Sequence, residues 1–185
     1  SDLNGAGITI YRANFTLKNS SVINNIARGR GAGIFISTNA TLTVLNSTIS
    51  GNKASASGGG IYAVDGTVSI NNSTIAYNNS NETGGGIAGG NSTISIKNSL
   101  LARNTAMGGS PDCAGSITTS NHNIIGSTSG CTVTGGAGDQ LNIDPLIDAS
   151  LSGVIPLHGL QVASPAINAG DNNTWLEIIS KGSLS

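Results

Sequence analysis

Gly58-Gly59-Gly60-Ile61-Tyr62-Ala63-Val64-Asp65-Gly66-Thr67-Val68-Ser69-Ile70-Asn71-Asn72-Ser73-Thr74-Ile75 decides the fold, because its landmarks recur along the chain. The Gly-Gly/Ala-Gly-Ile string stands also at Gly5-Ala6-Gly7-Ile8, Gly31-Ala32-Gly33-Ile34 and Gly84-Gly85-Gly86-Ile87. Its third glycine steps from 7 to 33 to 60 to 86, at spacings of 26, 27 and 26. An Asn-Ser pair keeps step at Asn19, Asn46, Asn72 and Asn98. Self-similarity at such a period is the signature of a solenoid, in which each unit stacks on its neighbours.

Aligned on Asn-Ser, three columns are apolar in all four units. They are Phe15/Leu42/Val68/Ile94, Leu17/Val44/Ile70/Ile96 and Val22/Ile49/Ile75/Leu101. Between the first two lie Thr16, Thr43, Ser69 and Ser95, so the local period is two and the segments are strands. Glycine and β-branched residues interrupt every helical window. Three strands per unit, around Ile8, Leu17 and Val22, predict a triangular coil. Stacked coils make a parallel β-helix, with strands roughly 4.8 Å apart and like residues above one another.

Two further columns are polar. Asn25, Asn52, Asn78 and Asn104 are spaced 27, 26 and 26, as expected of a structural amide ladder at a turn. Thr41, Thr67 and Thr93, beside Thr43, Ser69 and Ser95, predict an outward face of repeating hydroxyls. That face is the candidate binding surface. Ice-binding solenoids use arrays of this kind, although Thr and Ser are also ordinary solvent-facing strand residues.

Composition narrows the function. Of 185 residues only 9% are charged, and the formal net charge is −1. This gives no electrostatic footprint for nucleic acid. No apolar run is long enough for a membrane helix. Cys113 and Cys131, 18 residues apart, lack the spacing of a zinc site. A disulfide between them is the expectation, against two buried thiols. It would contribute about 3 kcal/mol in the loop-entropy picture and would place the protein outside the reducing cytosol, extracellular or at the cell surface. No signal peptide is visible, and the chain starts at Ser1 without Met, so a removed leader or a longer parent protein is expected.

The regular repeats occupy 1–106. Irregular coils and a C-terminal cap are expected over 107–173, and a tail over 174–185. Pro111-Asp112-Cys113, Asn123-Ile124-Ile125-Gly126, Cys131-Thr132, Asp144-Pro145-Leu146 and Ser164-Pro165-Ala166-Ile167-Asn168-Ala169-Gly170-Asp171 mark the second region. These motifs resemble bacterial surface β-helix proteins with a choice-of-anchor Q type C-terminal region. The Gly-Gly-Gly-Ile and Ser-Thr-Ile repeats resemble polymorphic outer-membrane-protein coils of the pectin-lyase-like superfold. The resemblance spans nearly the whole chain to Asp171. It implies a right-handed, extracellular β-helix and carries over no catalytic residue. After Asp171 the family's cap rich in Asp, Arg, Pro and Gly gives way to Asn172-Asn173-Thr174-Trp175-Leu176-Glu177-Ile178-Ile179. Trp175, Leu176, Ile178 and Ile179 are read as packing on the chain's own cap or as an exchanged assembly tail.

The acids are sparse. Across 1–104 they are Asp2, Asp65 and Glu82, too few for the clustered carboxylates of a lyase or the paired ones of a glycosidase. Asp139, Asp144 and Asp148 are a conceivable Ca²⁺ set whose ordinary role is turn capping; no metal or cofactor is called for. His122 and His158 have no partner evident in sequence. The expectation is a non-enzymatic extracellular structural or adhesive β-helix, self-associating end to end or binding a glycan or cell-surface ligand. A carbohydrate-active enzyme or glycan-binding module is the alternative, and ice binding a lesser one.

Overall fold

The structure is a computed structural model that describes residues 4–171. It is all-β, a parallel solenoid. The first coil contains β1 (Ile8–Tyr11), β2 (Asn14–Lys18), β3 (Ser21–Ile23) and β4 (Ile26–Ala27). The second repeats them as β5 (Ile34–Ser37), β6 (Thr41–Leu45), β7 (Thr48–Ser50) and β8 (Lys53–Ala54). The third has β9 (Ile61–Val64), β10 (Thr67–Asn71), β11 (Thr74–Ala76) and β12 (Asn79–Ser80). The fourth has β13 (Ile87–Gly89), β14 (Thr93–Lys97), β15 (Leu100–Ala102) and β16 (Thr105–Ala106). Equivalent strands pair in parallel and without slippage, as in Ile8↔Ile34↔Ile61↔Ile87.

Each regular coil thus has four strands where the sequence predicts three. The fourth is two residues long and turns only a small side chain inward: Ala27, Ala54 and Ser80 are all buried. A side lined by Ala and Ser leaves no apolar ladder to read from spacing. The other three sheets enclose the core predicted from sequence, including Ile34, Leu42, Val44, Ile49, Val68, Ile70, Ile75 and Ile96.

Glycine fixes the approach of neighbouring coils. A Cβ on Gly60 would meet the Gly86 carbonyl oxygen at 2.6 Å and Asn78 Nδ2 at 3.1 Å. The Asn-Ser turns have their own requirement: Asn19, Asn46, Asn72 and Asn98 adopt left-handed backbone, with φ of 49°, 47°, 49° and 48°. Asparagine tolerates that region better than most residues.

The coils then shorten. In β17 (Cys113–Thr119) the first two residues extend the first sheet and the later ones the second, so the corner between these sheets is gone. β18 (Ile124–Ile125) continues the third sheet. The last coil holds only β19 (Cys131–Gly135) and β20 (Gln140–Leu141), on the second and third sheets. Cys113 and Cys131 form the expected disulfide, with Cα atoms 5.5 Å apart, tying these two shortened coils together.

The segment expected as a cap lies along the flank. An antiparallel hairpin, β21 (Ile147–Ser152) and β22 (Leu157–Leu160), runs back over the outer surface of the third sheet. Its contacts reach the first coil, where Ser21 Oγ donates to Pro156 O at 2.9 Å. Tyr77 Oη donates to Ile147 O at 3.0 Å, and Arg103 pairs with Asp144. Thr48, Ser50 and Ala76 become buried beneath it. The contact of this segment with the last coil is a hydrogen bond from Gln140 Nε2 to Pro165 O. Residues 174–185, with the candidate tail Trp175, Leu176, Ile178 and Ile179, lie outside the described residues.

Replacing Gly60 by Ala is expected to cost about 2 kcal/mol, the scale of a forced steric shift. Gly90→Ala, whose new Cβ meets nothing nearer than 3.5 Å, is expected to be nearly neutral. Urea unfolding of the two variants checks the difference; equal costs would remove the steric account of the third glycine.

Candidate functional site

Covering of the third sheet leaves the first, second and fourth sheets as open faces, the fourth only two residues wide. On the second, Asn14, Thr41, Thr67 and Thr93 stand in register in one outward column. Thr16, Thr43, Ser69 and Ser95 form the next. The six residues proposed from sequence are therefore brought together on one surface. The structure extends it: Ser95 is followed by Thr118 and then Thr134 in the second column. Ser116, paired with Thr132, adds hydroxyls beside them, two residues earlier on β17 and β19. Two hydroxyl columns thus cross six strands, with Asn14 the one amide among them. Spacing is roughly 4.8 Å between strands and roughly 6.7 Å along them.

Four of these residues are hidden from repeat counting. The step from Ser95 to Thr118 is 23 residues and that from Thr118 to Thr134 is 16, because the coils have lost a corner and then two sheets. The signal available in sequence is alternation within the strands themselves, Ser116-Ile117-Thr118 and Thr132-Val133-Thr134.

Hydroxyls on this face are largely free of internal partners. Thr41, Thr43, Thr67 and Thr93 make no side-chain hydrogen bond among the described residues, whereas Ser95 Oγ donates weakly to Val68 O at 3.4 Å. Lys18 and Lys97 stand at the border, in the column shared with Leu45 and Asn71. The face is polar, and at its edge Asp65 shares a hollow with Thr67 and Thr93.

The first sheet differs. Phe35 and Tyr62 stack in successive coils with ring centroids 5.8 Å apart and planes within 7°. The Arg30 guanidinium lies 5.2 Å from the centre of the Tyr62 ring, and that of Arg12 lies 5.1 Å from the centre of Tyr11. Stacked rings bordered by guanidinium groups give this face apolar area that the second sheet lacks.

Five of the acids have separate employments. Asp112 accepts from both the backbone and side-chain nitrogens of Asn104, and Asp139 from those of Asn123. Asp144 pairs with Arg103, and Glu82 accepts from Ser57 Oγ. Asp148 accepts from Gln161. Asp139, Asp144 and Asp148 therefore serve three different contacts, and no three His, Cys, Asp or Glu side chains among the described residues lie close enough to hold a metal ion. Burial raises the Asp112 pKa, against the lowering effect of its bonds from Asn104 and Ser127. The ladder of Asn25, Asn52, Asn78 and Asn104 is present, with amide-to-amide distances of 2.8–2.9 Å.

His158 acquires partners that sequence does not reveal. Its Nδ1 lies 2.7 Å from the Asp148 carbonyl oxygen, which can only accept, so Nδ1 carries the proton. Nε2 then accepts from Ser50 Oγ at 2.8 Å. The ring leans on Tyr77, centroids 4.8 Å apart. This Ser-His pair is buried under the hairpin and fastens it to the solenoid. His122 lines a cleft of about 310 Å³ between the Asn-Ser turns and residues 160–171. Compared with known proteins, the chain matches no family model, no curated protein and no solved structure.

Burial lowers the His158 pKa below the ordinary 6.5, while the Asp148 carbonyl and carboxylate act in the opposite direction. The unfolded chain therefore takes up this proton first. The contribution is complete above pH 6.5 and is lost as pH falls from there through the folded-state value. Melting temperature followed between pH 8 and 5 is expected to decline on the acid side, and His158→Gln is expected to remove that part of the decline. An unchanged acid limb in the variant would take His158 out of the account.

Proposed function

We propose that this chain is a non-enzymatic extracellular module, structural or adhesive, that makes contact through the hydroxyl face of its second sheet. The two columns over six strands carry this reading. They form an extended surface of hydroxyls with few internal partners, while Asp112 and Asp139 are spent on ladders and Asp144 on Arg103. Its natural counterpart is another extended surface with repeating hydrogen-bonding groups, such as a glycan layer. The disulfide is compatible with an oxidising location. The likeness of the tail motifs to choice-of-anchor Q surface proteins, and of the coils to the pectin-lyase-like superfold, belongs to the same proposal.

Retention on immobilised polysaccharides and a glycan array tests it. Wild type is expected to bind, and Thr67→Lys with Ser69→Lys is expected to weaken binding by about tenfold or more, a difference of about 1.4 kcal/mol, at unchanged Tm. Release of reducing ends or unsaturated sugars from any of these polysaccharides would overturn the non-enzymatic part. Retention that persists in the double variant but is lost in Tyr62→Ala would move the contact to the aromatic face.

Ice binding is the second reading, favoured by the continuation of the array beyond the four regular repeats. It predicts measurable thermal hysteresis in wild type and its loss in Thr67→Tyr. Absence of hysteresis in wild type ends it.

A further inference from the structure

Polar side chains at two corners of the solenoid are used by the fold itself. Asn25, Asn52, Asn78 and Asn104 bond one another, and Asn46 donates to Asn19. Ser47 and Ser73 donate to the carbonyl oxygens of Leu45 and Asn71. The corner between the first and second sheets is different. Asn39, Asp65 and Asn91 stand there in successive coils and share a hollow of about 360 Å³ with Thr67 and Thr93. Among the described residues, none of these five side chains makes a hydrogen bond or an ion pair.

The backbone holds them in place. Asn39 N–H donates to the Asp65 carbonyl oxygen at 2.6 Å, and Gly66 N–H donates to Ser92 Oγ at 3.2 Å. Asn39 and Asp65 have left-handed backbone, with φ of 56° and 53°. Ser37 pairs with Val64 and Thr41 with Thr67, so three residues turn this corner in the second coil and two in the third. That one added residue accounts for the spacing of 27 between Gly33 and Gly60.

Asp65 is exposed and is the one charged residue that lines the hollow. Arg12, at the same corner of the first coil, lies over the Tyr11 ring. A carboxylate accepts several hydroxyl hydrogens at once, and an amide beside it both donates and accepts. Neighbouring hydroxyls of a sugar ring present donors and acceptors as a matching pair. Hydrogen bonds onto a charged oxygen are the stronger kind. A carboxylate or sulfate on the sugar would meet Asp65 at like charge, with no cation in the hollow to offset it. Thr67 and Thr93 also belong to the first hydroxyl column of the second sheet. A chain lying on that sheet therefore sets one ring in the hollow without leaving the face.

We infer that this hollow is a sugar subsite that takes one ring of a neutral glycan, and that Asp65 sets its preference for uncharged sugars. The inference rests on the reading of the second sheet as the contact face. It adds a named site to that face and a class of glycan, the acidic ones, that the site rejects.

The test titrates the protein with tetrasaccharides of glucose, mannose and galactose, and with the galacturonate tetrasaccharide as the acidic probe, by calorimetry. Wild type is expected to bind at least one neutral probe and to bind galacturonate about tenfold or more less tightly. Asp65→Asn keeps the side-chain size and suits left-handed backbone. It is expected to weaken the neutral probe about tenfold, to remove the discrimination against galacturonate and to leave Tm unchanged. Asn91→Ala is expected to weaken the neutral probe as well. Neutral binding that is lost in Thr67→Lys with Ser69→Lys, yet unchanged in Asp65→Asn and Asn91→Ala, would overturn the subsite and leave the contact face standing. Retention on polysaccharides without binding of any neutral tetrasaccharide would do the same. Absence of every glycan contact in wild type would overturn both readings. Galacturonate bound by wild type as tightly as the neutral probe would overturn the role of Asp65, a comparison that stands even if Asp65→Asn does not fold.

Discussion

The stacked amides of Asn25, Asn52, Asn78 and Asn104 hold the rest of the fold in place. Each Nδ2 answers carbonyl oxygens of its own turn or the preceding coil as well as the next Oδ1; Asn78, for example, reaches Ile49 O, Ala76 O and Asn104 Oδ1. Buried amides left without such partners would each cost roughly 1–3 kcal/mol. The third glycine exists because of this ladder. A Cβ on Gly33 would lie 3.0 Å from Asn52 Nδ2 and 2.5 Å from the Gly60 carbonyl oxygen, so the amide and the close backbone approach use the volume that glycine leaves open. The two columns keep step in sequence because they occupy one site in space.

That coupling explains which parts of the structure were legible. Apolar columns at period two locate the first three sheets, since a one-residue slip would turn Val68 and Ile70 to solvent. The Asn and Gly columns locate the corners. The fourth sheet was not legible, because Ala27, Ala54 and Ser80 satisfy it with minimal volume and no periodic apolar signal. Four of the six positions in each column were legible, where the period holds. Ser116, Thr118, Thr132 and Thr134 were not, because register in the shortened coils follows pairing and not a constant residue count. The course of the hairpin was beyond sequence pattern altogether: it depends on Ser21, Ser50 and Tyr77, none of which differs in character from other surface polar residues.

Loss of the corners and return of the chain are linked. The last coil has no room for a first or fourth sheet within the 16 residues that separate Ile124 from Gln140. The remaining chain leaves the axis there and finds the third sheet, where Ser50, Thr48 and Ala76 give a surface of small side chains on which a hairpin can lie closely. Covering that sheet selects the faces available for binding. The second sheet keeps its hydroxyls in water, and the first keeps its aromatic pair. Lateral contacts are open to those two surfaces, to the narrow fourth sheet with its exposed Ile26, and to the hairpin's own exposed residues, among them Val154 and Val162.

Apolar burial alone would not give this solenoid distinguishable ends. Aliphatic columns attract equally from either side, because the hydrophobic effect has no direction. The polar ladders supply one. Bonds onto the side-chain oxygens of the Asn25 and Ser20 columns run from each coil to the next, while the same Asn amides also donate to carbonyl oxygens of the preceding coil and Asn46 donates back to Asn19. Asp112 and Asp139 show how little is needed to stop the series: exchanging an amide nitrogen for oxygen keeps the incoming bonds at 2.9–3.0 Å and removes the outgoing one. A repeat protein with open strand edges at both ends would be exposed to unlimited edge-to-edge growth. Two carboxylates at the corners, together with coils that shed their first and fourth sheets, limit that hazard on the C-terminal side of the regular coils.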